Sequence, residues 1–234
     1  MQSVFNDIKS LFFRPLCPVC GRPMGEGDYF VCSKCRWEAP LTGFQNRVDN
    51  PVVQRFWGTV KVVNGCAFMY FVHNSGWRRL IHEFKYHGRW REAMMAGEWF
   101  GGELARSPLY GDVDLLVPIP LHPRKLLSRT YNQAEYLALG MGRSMGLKVD
   151  SHSVVRKVYN KSQALRPHHE RWENVKDIFR VTHPERLSGR HILLVDDVLT
   201  TGATIGSCAE AIEQAVPDCR ISIACFATAF DPLS

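Results

Sequence analysis

The sequence predicts an α/β fold, a doubly wound and mostly parallel sheet preceded by a small cysteine-rich module. Four observations carry that prediction. His191 to Val195 reads as an apolar run without alternation, as in a strand covered on both faces. From Ile205 onward, apolar residues recur at Cys208, Ala209, Ile212 and Ala215, a helical spacing. Other short apolar runs alternate with helical ones along the chain, the order of strands joined by crossover helices. Near the start, Cys17, Cys20, Cys32 and Cys35 form two Cys-x-x-Cys knuckles separated by eleven residues.

Taken in order, Val4 to Phe13 has apolar residues at helical spacing. It carries one lysine, too little basic charge for a membrane-surface anchor, so it is expected to pack on the protein. It lacks a basic start and an apolar core of signal-peptide length, so the chain is expected in the cytoplasm, with thiolates favoured over disulfides. The four knuckle cysteines then suit tetrahedral zinc, and with all four positions filled by protein the ion is structural. Residues 1–40 form the helix and ribbon, 41–58 a polar connector, and 59–234 the main domain.

Within the main domain, Val60 to Tyr70 reads as a strand, then Trp77 to Tyr86 and Arg91 to Leu104 as helices. Val113 to Val117 is a strand, Tyr131 to Met145 a helix, and Ser153 to Val158 and Ile221 to Ala229 strands. Cys66, Cys208, Cys219 and Cys225 lack metal spacing and read as buried small hydrophobes. No apolar run approaches a membrane span.

Between His191 and Ile205 a strand delivers Asp196 and Asp197, then Thr200, Thr201, Gly202, Ala203 and Thr204 open the helix. Open α/β sheets bind ligands at the carboxyl ends of strands, and a helix start offers unpaired N–H groups and a positive dipole end, so a phosphate fits here. Gly202 reaches backbone angles closed to other residues, and the threonines add hydroxyl donors. Ionised carboxylates are acceptors only, suited to two ribose hydroxyls or to magnesium. The chain contains no P-loop and no dinucleotide fingerprint.

This string resembles the phosphoribosyl pyrophosphate (PRPP) motif of type I phosphoribosyltransferases. The resemblance implies that Asp196 and Asp197 hold the ribose hydroxyls while Thr200 to Thr204 wrap the 5′-phosphate, and that the sheet is of the type I phosphoribosyltransferase kind.

The net charge of +6 is unevenly spread. Arg124, Lys125, Arg129, Arg156, Lys157, Lys161, Arg166 and Arg171 fall in one stretch with few acids, so a polyanion is the expected visitor. Lys85, Arg124, Lys125 and Arg129 are the candidates for the pyrophosphate side. Arg156, Lys157, Lys161, Arg166 and Arg171 are candidates for a single-stranded nucleic acid, with Tyr131, Tyr159 and Trp172 available to stack on bases. Tyr159 to Arg171 reads as a lid.

Val117 to Lys125, followed by Arg129-Thr130-Tyr131-Asn132-Gln133, is similar to the pyrophosphate-side signature of the ComF/GntX family, as are Phe84 to Gly88, Ser162 to Leu165 and Arg171 to Val175. Thr130 stands where that family commonly has glycine, which implies a stiffer loop. The resemblance implies a protein of natural competence that handles single-stranded DNA; for the ribbon, docking a helicase-like partner and simply capping the domain are both open readings. It also implies magnesium-dependent phosphoribosyl transfer, with Asp196, Asp197, Lys85 and Arg129 central. A single-stranded-DNA adaptor whose PRPP site is regulatory or vestigial, and a metabolite sensor, are the other readings. No motif specifies the acceptor.

Overall fold

The computed structural model describes residues 14–85, 88–158 and 178–229. Its centre is a five-stranded sheet in the order β1-β7-β6-β2-β3. These strands are β1 (Val62–Tyr70), β2 (Leu115–Pro118), β3 (Lys148–Val149), β6 (His191–Leu199) and β7 (Arg220–Thr228). Every neighbouring pair is parallel. A separate antiparallel pair is made by β4 (Val154–Arg156) and β5 (Phe179–Val181).

The helices are α1 (Ser33–Trp37), α2 (Pro51–Gln54), α3 (Gly76–Glu83), α4 (Trp90–Ala105), α5 (Pro123–Arg129), α6 (Gln133–Met145) and α7 (Ala203–Ala215). Strand residues alternate between faces, and the contacts show which helices cover each. Phe68 of β1 stacks on Phe100 of α4 at 4.9 Å and meets Phe226 of β7. On the other face, a Cβ at Gly65 of β1 would touch Val52 and Val53 of α2. Helices α4 and α6 run in close contact: a Cβ at Gly97 or Gly140 would fall 2.1 or 2.0 Å from the carbonyl oxygens of Leu137 and Met94.

Four local features differ from the sequence reading, each for a physical reason. Strand β6 extends through Leu199, because β7 pairs with it as far as Thr228. Arg124 to Arg129 is helical: Pro123 occupies the first turn and His122 Nδ1 accepts the Arg124 N–H at 3.2 Å. Strand β4 lies outside the main sheet, because its partner is β5 and not a parallel neighbour. Cys219 is only partly buried, whereas Cys66, Cys208 and Cys225 are fully so.

The stretch 41–58, polar in sequence, packs into the core through Phe44, Val52 and Phe56. Where the stretch begins, the chain covers the end of the free edge of β1: Tyr70 N–H donates to Pro40 at 2.8 Å and Thr42 N–H to Phe68 at 3.1 Å. The cysteine module joins the same core. Phe30 meets Trp77, Arg79 donates to the Val19 carbonyl at 2.9 Å, and Arg36 lies 4.6 Å over the Trp99 ring. Among the described residues, no helix is long and apolar enough to cross a membrane.

Candidate functional site

Strands β2 and β6 are neighbours, but their chains leave in opposite directions, from β2 through α5 and α6 to β3 and from β6 through α7 to β7. Their carboxyl ends are therefore the topological switch point, where open sheets bind ligands. Both sequence signatures meet there.

Because the strand continues past them, Asp196 and Asp197 point to opposite faces. Asp197 turns to the α3 side, where its Oδ2 lies 3.2 Å from Lys85 Nζ. Asp196 turns to the α7 side, in register with Cys225, where its charge is felt by Cys208 and Arg156. Each carboxylate also accepts the N–H of the next residue at 2.8 Å, which limits its rotation. Burial, and then the neighbouring Asp197, raise the Asp196 carboxyl to about 7, against the pull of Lys85 and Arg156.

Beyond β6 the chain turns through exposed Thr200 and Thr201 to Gly202 at φ +80°, and α7 starts with no side-chain cap. Thr201 Oγ1 accepts weakly from Ala203 N–H at 3.4 Å, and Thr204 is exposed on the first turn. Gly202 is required twice over. Its φ is left-handed, and a Cβ would approach Arg55 Cγ to 3.1 Å and the Phe56 ring to 3.3 Å. The segment after α2 is thus a wall of the loop, which the sequence reading did not find. Asn50 capping a helix that opens on Pro51 was the available local signal.

The basic side is assembled by α5 and the turn after it. Thr130 adopts φ +70° and closes α5 through a 2.7 Å bond from its N–H to Leu126. A threonine therefore occupies the left-handed conformation that glycine adopts freely, so the loop keeps its shape at a cost in strain. Tyr131 donates its hydroxyl to the Phe84 carbonyl, and Asn132 Nδ2 to Ile119 at 3.0 Å, which ties this turn to the ends of α3 and β2. That is why Lys85 and Arg129, distant in sequence, share one site. Arg129 donates to Gln133 Oε1 at 3.1 Å. Partly buried Lys125 has its pKa lowered by burial, then by Arg156, Arg129 and Lys85. Arg124 and Lys157 are exposed. Lys161, Arg166, Arg171 and the lid stretch lie outside the described residues.

At the other end of the molecule, the sulfurs of Cys17, Cys20, Cys32 and Cys35 all lie within 4.8 Å of one another. A hydrogen bond from the Arg22 side chain holds the Cys20 thiol down to about 6, while burial pushes Cys35 up. Four convergent sulfurs are a donor set for a soft tetrahedral ion.

Fold and site together define a doubly wound α/β protein with an acidic pair at its switch point and a four-cysteine module. No family model matches the chain. It is 33% identical over 202 residues to the DNA utilization protein YhgH of Escherichia coli strain K12, covering 85% of this chain and 78% of that one. It is 27% identical over 192 residues to the competence protein ComFC of Bacillus subtilis strain 168, covering 81% of this chain and 68% of that one. The chain belongs to the ComF family. Among solved structures it is similar to a glutamine PRPP amidotransferase from B. subtilis, with 15% identity, a TM-score of 0.42 and coverage of 62% of this chain and 30% of that one. A purine phosphoribosyltransferase from Pyrococcus horikoshii gives 17% identity, a TM-score of 0.34 and coverage of 56% and 74%.

Proposed function

We propose that the protein binds PRPP with magnesium at the switch point and transfers its phosphoribosyl group to an acceptor, releasing pyrophosphate, in the handling of DNA during competence. The observation that carries this reading is the meeting of an acidic pair, an uncapped helix start and the cations Lys85, Lys125 and Arg129 at one strand edge. In it, Asp196 and Asp197 hold the ribose hydroxyls, and Gly202 to Thr204 hold the 5′-phosphate through backbone N–H groups. Lys85, Lys125, Arg129 and exposed Arg124 neutralise charge on the departing diphosphate as the anomeric carbon becomes oxocarbenium-like. Magnesium, when bound, supplies further neutralisation of that diphosphate. The acceptor brings its own nucleophile.

The four-cysteine module fits a structural zinc, with no coordination position left for chemistry. A second reading, a single-stranded-DNA adaptor with a regulatory PRPP site, draws on exposed Arg124 and Lys157 and on relatives named for DNA utilization and competence.

The test is calorimetric and thermal titration of the full chain with PRPP and magnesium, beside Asp197→Asn, followed by pyrophosphate release with candidate acceptors, single-stranded DNA included. Binding that the variant loses supports the site. An unchanged wild-type melting temperature at millimolar PRPP would refute it.

A further inference from the structure

Arg156 stands at the end of β4, in register with Phe179 of β5, and its guanidinium carbon lies 5.5 Å from the centre of that ring. Strand β5 packs on α7, so the two-stranded sheet sits against the helix that follows the phosphate loop. This brings Arg156 within electrostatic reach of Cys208 on α7 and of Asp196 on β6. Its Nε is buried and has no hydrogen-bond partner among the described residues, nor does the side chain make an ion pair there. The next residue, Lys157, is exposed.

A buried donor left unmatched costs free energy. Nucleic-acid phosphates are met at an open surface, and a partly buried guanidinium lying over Phe179 and within electrostatic reach of Asp196 is poorly placed for them. A compact anion entering the switch point would meet it. Lys125 feels the like charges of Arg156, Arg129 and Lys85, so these four cations gather in one region.

We infer that Arg156 is a binding residue for the diphosphate of the ligand, its planar fork presented from the two-stranded sheet across the mouth of the switch point. The inference rests on the PRPP reading and deepens it. The sequence assigned Arg156 to a nucleic-acid surface together with Lys157, and the structure separates the two neighbours, one inward and one outward. In this arrangement the β4–β5 pair is part of the site, and a guanidinium recognises a diphosphate where an ammonium would offer only a point charge.

The experiment is titration calorimetry of the full chain with inorganic pyrophosphate and, separately, with PRPP, each with magnesium, on wild type, Arg156→Ala, Arg156→Lys, Lys157→Ala and Asp197→Asn. Ligand-free melting temperatures are recorded alongside. Arg156→Ala is expected to weaken both ligands by about tenfold or more, with Arg156→Lys intermediate and Lys157→Ala within about twofold. Its ligand-free melting temperature should stay close to that of wild type, because Arg156 is only partly buried and makes no ion pair among the described residues. If Arg156→Ala melts early, the folded Arg156→Lys protein decides, and wild-type affinity there overturns the inference. Undiminished binding by Arg156→Ala, with PRPP lost in Asp197→Asn, overturns the inference and leaves the PRPP reading standing. Loss of single-stranded-DNA affinity instead of pyrophosphate affinity returns Arg156 to a nucleic-acid surface and also overturns it. A wild type that binds neither ligand overturns both.

Discussion

Asp196 and Asp197 are adjacent in sequence and divergent in space, and they have different electrostatic lives. Asp197 is paired with Lys85 at 3.2 Å. Asp196 is held to about 7 by burial and by its neighbour, far above an unfolded aspartate near pH 4. Between those values the folded protein keeps a proton that the unfolded chain releases. The stability from this group is therefore full below about pH 4 and is lost as the pH rises toward 7. Asp196→Asn, which does not titrate, should melt higher than wild type at pH 8, by on the order of 2 kcal/mol, with the difference shrinking toward pH 4. Thermal melts across that range check it, and a constant difference would refute the assignment. Thr130 offers a second residue-scale test. Thr130→Gly relieves a β-branched side chain from φ +70° and should stabilise by about 1 kcal/mol, read by denaturant titration.

At the scale of elements, the join between β6 and α7 depends on a segment far away in the chain. Gly202→Ala places a methyl group against Arg55 and Phe56 at a left-handed φ. We expect a loss of about 1–3 kcal/mol in chemical denaturation, with weaker PRPP binding. Two kinds of element were readable in advance. Long helices and buried strands announced themselves through period and apolar runs, as Trp90–Ala105 and Arg220–Thr228 show. Lys148–Val149 did not, because two residues carry no period, and Pro123–Arg129 buries no side chain and so leaves no apolar stripe to read. The acidic pair was legible as chemistry, but its opposed orientation was not, since that depends on how far β7 continues to pair.

For the whole molecule, the four-cysteine module and the α/β domain share one core. A Cβ at Gly76 of α3 would come within 2.1 Å of the Val19 carbonyl, and Phe30 meets Trp77 beside it. If the four sulfurs hold an ion, its removal by chelation should therefore raise hydrogen exchange first in 17–35 and then in α3, and lower the melting temperature of the full chain. Exchange confined to the module would show that the docking contributes little. The net charge of +6 bears on the DNA reading at this same scale. If single-stranded DNA binds, its affinity should fall linearly in log–log terms with salt, and Lys157→Ala should reduce the slope by about 0.7.

The sequence by itself determined what short-range covalent order can encode: two thiol pairs at metal spacing, a strand that carries two adjacent carboxylates, a glycine before a helix, and alternating periods that imply a wound sheet. The proposed ligand class rests on the same short string, where acceptors, donors and a helix start stand together. Only the tertiary structure decided which cations those carboxylates meet. Lys85 reaches Asp197 because Tyr131 and Asn132 tie the α5–α6 turn to α3 and β2, and Arg156 turns inward because β5 docks on α7. Such meetings arise from strand order and packing between segments distant in the chain, and residue spacing along the chain carries no record of them.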